Sequence, residues 1–199
     1  ERNSLSVCFN NYTITFNSLR YSTSNVERYA PVRDELDYMK RYVNLLQFRY
    51  EERIQVTITC DKSIEKEILP KIVLQQLIEN SVLHGYNNED VVMRIQVRGF
   101  RDNTGWYIRM EDNGEGIKED VLHDLRRGIK EIREKIHVRN SAIEMEIGGM
   151  GLLNLYARLY LLYADKLVFE LENTKERGAA VTIGVKTERE ENVQRTGSR

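Results

Sequence analysis

Several residue classes are scarce in this chain, and each scarcity excludes something. Among 199 residues there are two cysteines, two prolines and one tryptophan. Cys8 and Cys60 have neither metal-ligand nor redox spacing, which predicts two reduced, buried thiols in a reducing interior compartment. No charge sign is in excess: the net charge is −1, whereas a dedicated nucleic-acid binder would carry a basic imbalance. No apolar run approaches the length of a bilayer span, and no signal peptide is expected within this piece. The chain starts at Glu1 rather than Met, so it is expected to be a fragment or processed product, and the missing span describes this piece alone. What is present is 41% hydrophobic and 31% charged, the balance of a soluble globular protein. The length suffices for one α/β core with an appendage, or for two small domains.

The periodicity of the apolar residues changes along the chain. Leu5, Phe9, Tyr12, Phe16 and Leu19 form a heptad-like stripe, either a bundle or coiled-coil helix or an ordinary amphipathic one. Pro31 sits where a first helical turn accepts it, with Asp34 and Glu35 near the positive end of the helix dipole. Leu36, Met39, Val43, Leu46 and Tyr50 carry that helix to about Glu52. From Arg53 the period becomes two: Ile54, Val56, Ile58 and Cys60 predict a half-buried strand. Pro70 is expected to open the next helix. Met93, Ile95 and Val97, then Trp106, Ile108 and Met110, read as two further strands. A charged stretch, 118–148, has Val121, Leu125, Ile129, Ile132 and Ile136 at helical spacing. A helix from about Met150 to Ala164 and strands near Leu167–Glu172 and Ala180–Lys186 complete the pattern, before a polar tail expected to fray. The mixture predicts an α/β sandwich, with helices on one face of a mostly antiparallel sheet.

Four short motifs sit on these elements. The first is Gln75-Gln76-Leu77-Ile78-Glu79-Asn80-Ser81-Val82-Leu83-His84-Gly85, on the helix expected to start at Pro70, where Leu74, Leu77 and Ile78 form the buried side. Gln76, Asn80 and His84 share another face, which is either a solvated stripe or a ligand-facing one. Asn80 can lend an oxygen to Mg²⁺, and Glu79 is a candidate base near a terminal phosphate; His84 reads as structural rather than catalytic. In Asp112-Asn113-Gly114-Glu115-Gly116-Ile117, Asp112 has the inward parity of Ile108 and Met110. A buried carboxylate needs donors, and it finds them either in an adenine amine or in its own Asn-Gly turn. Gly148-Gly149-Met150-Gly151-Leu152 opens a helix, an arrangement that delivers free N–H groups to phosphate. The charged stretch before it is either a hinged lid over a nucleotide or a surface helical insertion. Gly178-Ala179-Ala180-Val181-Thr182-Ile183 enters the last strand.

With these residues in this order, the sequence resembles the ATP-binding catalytic domain of sensor histidine kinases, which shares the Bergerat fold with gyrase, Hsp90 and MutL. Within that superfamily it is most similar to the LytS/YesM-like membrane sensor kinases. The likeness runs from Leu19-Arg20-Tyr21-Ser22 and Glu35-Leu36 through Gln47-Phe48-Arg49-Tyr50, the Leu74–Gly85 segment and the Asp112 box to Gly151-Leu152-Leu153-Asn154-Leu155-Tyr156-Ala157-Arg158-Leu159. It covers nearly the whole chain to about Val185.

The resemblance implies a two-layer sandwich in which Asn80 binds Mg²⁺ and Glu79 assists phosphoryl transfer. It also implies an ATP site made of Asn80, His84, Asp112, Gly114, Gly116, Gly149, Gly151 and Leu152, with a lid over residues 118–148. Residues 1–30 become the end of a dimerisation and phosphoacceptor hairpin, 31–187 the catalytic domain and 188–199 a tail. Expected partners are a second copy of the chain, through the first helix, and a response regulator, with no direct nucleic-acid contact. The membrane is reached only through segments absent here, which makes this the cytoplasmic portion of a membrane protein. Four departures stand out. No histidine precedes His84, so the acceptor is expected outside this chain. Leu83 stands in place of a usual Lys, Ala179 of a usual Thr and Gln76 of a usual Pro; the first two predict weaker nucleotide binding. Two rivals follow, a degenerate scaffold and a Bergerat-fold ATPase that uses water as acceptor.

Overall fold

The computed structural model describes residues 28–85, 91–139 and 151–187. The heptad stripe of 5–19, Gly148, Gly149 and the polar tail therefore lie outside the described residues.

Helix α1 (Val32–Tyr50) follows Pro31, and its buried residues Val32, Glu35, Leu36, Met39, Val43 and Leu46 form one continuous face. Strand β1 (Tyr29–Pro31) precedes it. Strand β2 (Ile54–Cys60) alternates as expected. Pro70 departs from expectation: it ends strand β3 (Ile68–Pro70), which pairs antiparallel with β1, Tyr29 opposite Pro70. A proline's fixed φ suits an extended edge as well as a first helical turn, and here the pairing with β1 decides. Helix α2 (Val73–Gly85) starts three residues later.

Strands β4 (Met93–Asp102) and β5 (Gly105–Asp112) form a hairpin, followed by helix α3 (Glu119–Arg139), helix α4 (Gly151–Tyr163) and the hairpin β6 (Leu167–Asn173) and β7 (Ala179–Lys186). The main sheet has the order β2-β4-β5-β7-β6; β2 and β4 are parallel and every other neighbouring pair is antiparallel. Helices α1, α2 and α4 cover one face. Met39, Leu74, Leu77, Ile78, Leu155 and Leu159 from the helices close over Ile95, Ile108, Met110 and Ile183 from the sheet, all buried in one core. This is the two-layer sandwich with a mixed, mostly antiparallel sheet that the periodicity predicted.

Helix α3 occupies most of the expected lid stretch and packs on α4 rather than on the sheet. Leu125 and Ile132 bury against Leu153, Tyr156, Ala157 and Tyr160. Val121, expected in the apolar stripe, is exposed and Leu122 is buried instead. The stripe that meets α4 runs 125, 129, 132, 136; Leu122 continues it at helical spacing, and Val121 falls about 100° away from Leu122. Gly128 lets the two helices close, since a Cβ there would lie 2.6 Å from Leu153 Cδ1.

Candidate functional site

Asp112 ends β5 with its side chain on the helix-covered side. Its Oδ1 accepts the backbone N–H of Gly114 at 2.9 Å and that of Ala179 at 3.2 Å. The other carboxylate oxygen has no donor among the described residues. One carboxylate oxygen thus caps its own Asn-Gly turn, as one of the two readings of Asp112 expected. The surrounding backbone is drawn in tightly. Gly178 has φ +109, and a Cβ there would sit 1.8 Å from the Asp112 carbonyl oxygen. Gly116 has φ +80, with room for no side chain because Asn173 Oδ1 would lie 2.8 Å away. Asn173 clamps the loop by accepting from the Ile117 N–H at 2.6 Å and donating to its carbonyl at 2.9 Å. Sequence reasoning missed Asn173; its one signal was an Asn at a strand end before a turn.

Asn80 and Gly151 come from motifs about seventy residues apart and meet here. Asn80 Nδ2 donates to the Gln76 carbonyl at 2.7 Å, one turn back on α2. That bond fixes the carboxamide and leaves Oδ1 facing the start of α4, 3.1 Å from where a Gly151 Cβ would be. Gly151 is the first described residue of this helix, and the backbone before it lies outside the described residues. Leu152, next along, is half-buried and packs against both apolar clusters, so it seats the helix start rather than offering a polar contact.

Glu79 faces another way, about 100° round the helix from Asn80. Its Oε1 accepts from Gln75 Nε2 at 2.5 Å. It lies toward Tyr42 of α1, whose phenol is pushed up to about 12, by burial first and by the Glu79 charge second. His84 and Leu83 are exposed at the end of α2, Leu83 by 71%. Gly149 lies outside the described residues. The structure therefore brings Asn80 and Gly151 together and builds Asp112, Gly114 and Gly116 into one clamped turn. It sets Glu79 and His84 apart from both.

The start of α2 is held by residues whose part the sequence did not reveal. Glu35, read as complementing the dipole of its own helix, is wholly buried and caps the next one. It accepts the N–H of Ile72 at 2.7 Å and of Leu74 at 3.3 Å. Arg158 of α4 donates to the Lys71 carbonyl and, at 3.1 Å, to Gln76 Oε1. Burial lowers the Arg158 pKa and the Glu35 charge opposes that shift, as expected of opposite charges that share a buried region.

A cavity of about 380 Å³ is lined by Asp112 itself together with Gln55, Thr57, Arg94, Ile95, Gln96, Glu111, Asn113 and the 174–177 turn. Thr57, Gln96 and Glu111 belong to the helix-free face of the sheet. The cavity therefore includes Asp112 at the strand end but neither Asn80 nor Gly151. Among the described residues no three His, Cys, Asp or Glu cluster as a metal site, and no helix is long and apolar enough to cross a membrane.

Comparison with known proteins gives this geometry a context. Residues 65–189 match the family described as histidine kinase-, DNA gyrase B-, and HSP90-like ATPase. The chain is 28% identical over 155 residues to the sensor protein LytS of Bacillus subtilis, covering 78% of this chain and 24% of that protein. It is 23% identical over 167 residues to the sensor histidine kinase YesM of the same organism, covering 84% of this chain and 26% of the other. The chain thus spans about a quarter of the length of the curated relatives it matches. Among solved structures, the catalytic domain of histidine kinase ThkA aligns with a TM-score of 0.49 at 16% identity, over 79% of this chain and 94% of that one. The ATP-binding domain of PrrB from Mycobacterium tuberculosis aligns with the same TM-score at 18% identity, over 81% and 97%.

Proposed function

Since the chain belongs to the histidine kinase-, DNA gyrase B- and HSP90-like ATPase family, we propose that it is the catalytic part of a two-component sensor histidine kinase. In this reading it transfers the γ-phosphoryl group of Mg·ATP to a histidine elsewhere in the intact protein. A response regulator then takes the phosphoryl group. The observation that carries the reading is the meeting of the Asn80 carboxamide with the first residue of α4, on the helix layer that also receives the Asp112 side chain.

Each residue has a task that follows from its surroundings. The open Asp112 oxygen accepts the exocyclic amine of adenine, while Gly114 and Gly116 keep the turn low enough for a flat base to approach. The start of α4 receives the phosphates on free N–H groups. Asn80 offers a single carboxamide oxygen, a donor set that suits Mg²⁺, which keeps most of its waters and takes phosphate oxygens for the rest. When bound, the ion supplies charge neutralisation between the phosphates. Glu79, oriented by Gln75, is the base candidate, and its distance from Asn80 around the helix leaves it free to meet an incoming acceptor. The rest of the catalysis is positioning and charge stabilisation, as in phosphoryl transfer generally.

The intact protein is proposed to be a homodimer joined through its N-terminal helical region, with this portion in the cytoplasm and the membrane reached by other segments. A second reading, a weak or inactive nucleotide module, is favoured by one observation: Leu83 puts an exposed apolar side chain where the resemblance expects a phosphate-contacting Lys. Incubating the intact protein with γ-labelled ATP and Mg²⁺ tests the reading. Acid-labile, base-stable phosphohistidine is expected. ATP hydrolysis without protein labelling would favour the ATPase rival. No nucleotide binding in folded protein would favour the inactive module.

A further inference from the structure

The start of α2 is backbone that does not settle there by itself. Ile72, the residue before the helix, is β-branched yet has φ 71, a left-handed conformation that such residues avoid. Two side chains from other helices hold it. The Glu35 carboxylate takes the N–H groups of Ile72 and Leu74. The Arg158 guanidinium forks between the Lys71 carbonyl and Gln76 Oε1. Gln76 in turn connects to the site, because its carbonyl receives Asn80 Nδ2 at 2.7 Å and thereby aims Asn80 Oδ1 at Gly151.

Arg158 and Gly151 lie two turns apart on one side of α4, and Gln76 and Asn80 lie one turn apart on α2. The two helices therefore touch at two linked points, Arg158 on Gln76 and Gly151 on Asn80. We infer that the Arg158–Gln76 pair is a positioning device for Mg·ATP: it fixes the register of α4 against α2, and with it the separation between the metal-facing oxygen of Asn80 and the phosphate-receiving start of α4. The inference rests on the proposed function and adds residues to it. It also accounts for a departure noted in the sequence. The proline usual at position 76 has no side-chain acceptor and no N–H, whereas Gln76 accepts from Arg158 and donates its N–H to the Ile72 carbonyl at 3.0 Å. This chain ties its two site helices with a side chain where the resemblance supplies a ring.

The test is calorimetric titration of the chain with a non-hydrolysable ATP analogue, with Mg²⁺ and again in a chelator. The readout is the ratio of the two dissociation constants. Gln76→Ala and Arg158→Ala are each expected to reduce the Mg²⁺ enhancement roughly tenfold, with a clearly smaller loss on the chelator side, where Asp112 still anchors the base. The double variant is expected to be no worse than the worse single one, because both remove the same contact. Gln76→Glu keeps an acceptor for Arg158 and is expected to retain the enhancement. A purely structural role would lower both affinities in proportion, along with the melting temperature, and that result overturns the inference. If Arg158→Ala fails to fold, Gln76→Ala decides alone, since its side chain is only half-buried. An enhancement that survives in Gln76→Ala refutes the positioning role and leaves the proposed function standing. No enhancement in the parent refutes the proposed function, and this inference with it.

Discussion

Replacing Asp112 by Asn isolates the adenine contact, because the two oxygens of that carboxylate have separate tasks. Oδ1 takes the N–H groups of Gly114 and Ala179, and an Asn carbonyl oxygen in the same place keeps both bonds. The fold should therefore tolerate the change, with a stability loss under about 1 kcal/mol. The open oxygen becomes an NH₂ group, a donor facing the adenine amine, itself a donor. Losing a hydrogen bond to a charged acceptor costs about 1.5–3 kcal/mol. That corresponds to roughly a tenfold to hundredfold weakening of nucleotide binding. Calorimetric titration with non-hydrolysable analogues of ATP and of inosine triphosphate separates this cause from general damage. The parent should prefer the adenine analogue, whose amine meets the carboxylate. The variant should lose or reverse that preference, because the inosine oxygen accepts from the new NH₂. Equal affinity of the parent for both bases, or an unchanged preference in the variant, would refute the assignment of the open oxygen to adenine.

Other perturbations follow from the same contacts. Gly178→Ala places a methyl 1.8 Å from the Asp112 carbonyl oxygen at φ +109; the backbone strain alone should cost on the order of 1–3 kcal/mol, visible as a lower urea midpoint together with weakened nucleotide binding. Glu35→Ala strips the buried cap from α2 and takes the acceptor from the N–H groups of Ile72 and Leu74, for an expected loss of about 1–3 kcal/mol for each group left unsatisfied. Glu35→Gln keeps an acceptor and should lose clearly less, so equal midpoints for the two variants would count against the cap. Burial pushes the phenols of Tyr42, Tyr156 and Tyr163 up to about 12 from 10.0. Above pH 10 the unfolded chain then binds fewer protons than the folded one, so stability should be flat in this respect below pH 10 and fall as pH rises toward 12. Absorbance at phenolate wavelengths, followed beside the urea midpoint, checks this; phenols that all titrate near 10 in folded protein would contradict it.

The local periodicities made most of the fold legible. Alternation at Ile54–Cys60, Met93–Val97 and Trp106–Met110 predicted strands at those places, and the structure has them in one sheet. The spacing of Leu74, Leu77 and Ile78 identified the buried side of α2. Legibility failed where a distant contact overrode a local preference. Pro70 carries a helix-start signal, yet β1 recruits it as a strand end. Val121 and Leu122 are both apolar, and spacing alone did not tell which of them the fold buries.

In the site the division is similar. The sequence by itself determined which groups are on offer: an inward-facing carboxylate at the end of a strand, a carboxamide on a helix, and glycines at a turn and at a helix start. Side-chain chemistry and local backbone rules suffice for that, because they act within a few residues. Only the tertiary structure decided how the groups meet. The Asn80 oxygen is aimed by Gln76 and bordered by Gly151, the Asp112 turn is clamped by Asn173, and α2 is started by Glu35, thirty-seven residues before Ile72. Those partners are distant along the chain, and no local pattern encodes them. They are set by which helices the core draws together, a property of packing over the whole domain rather than of any segment within it.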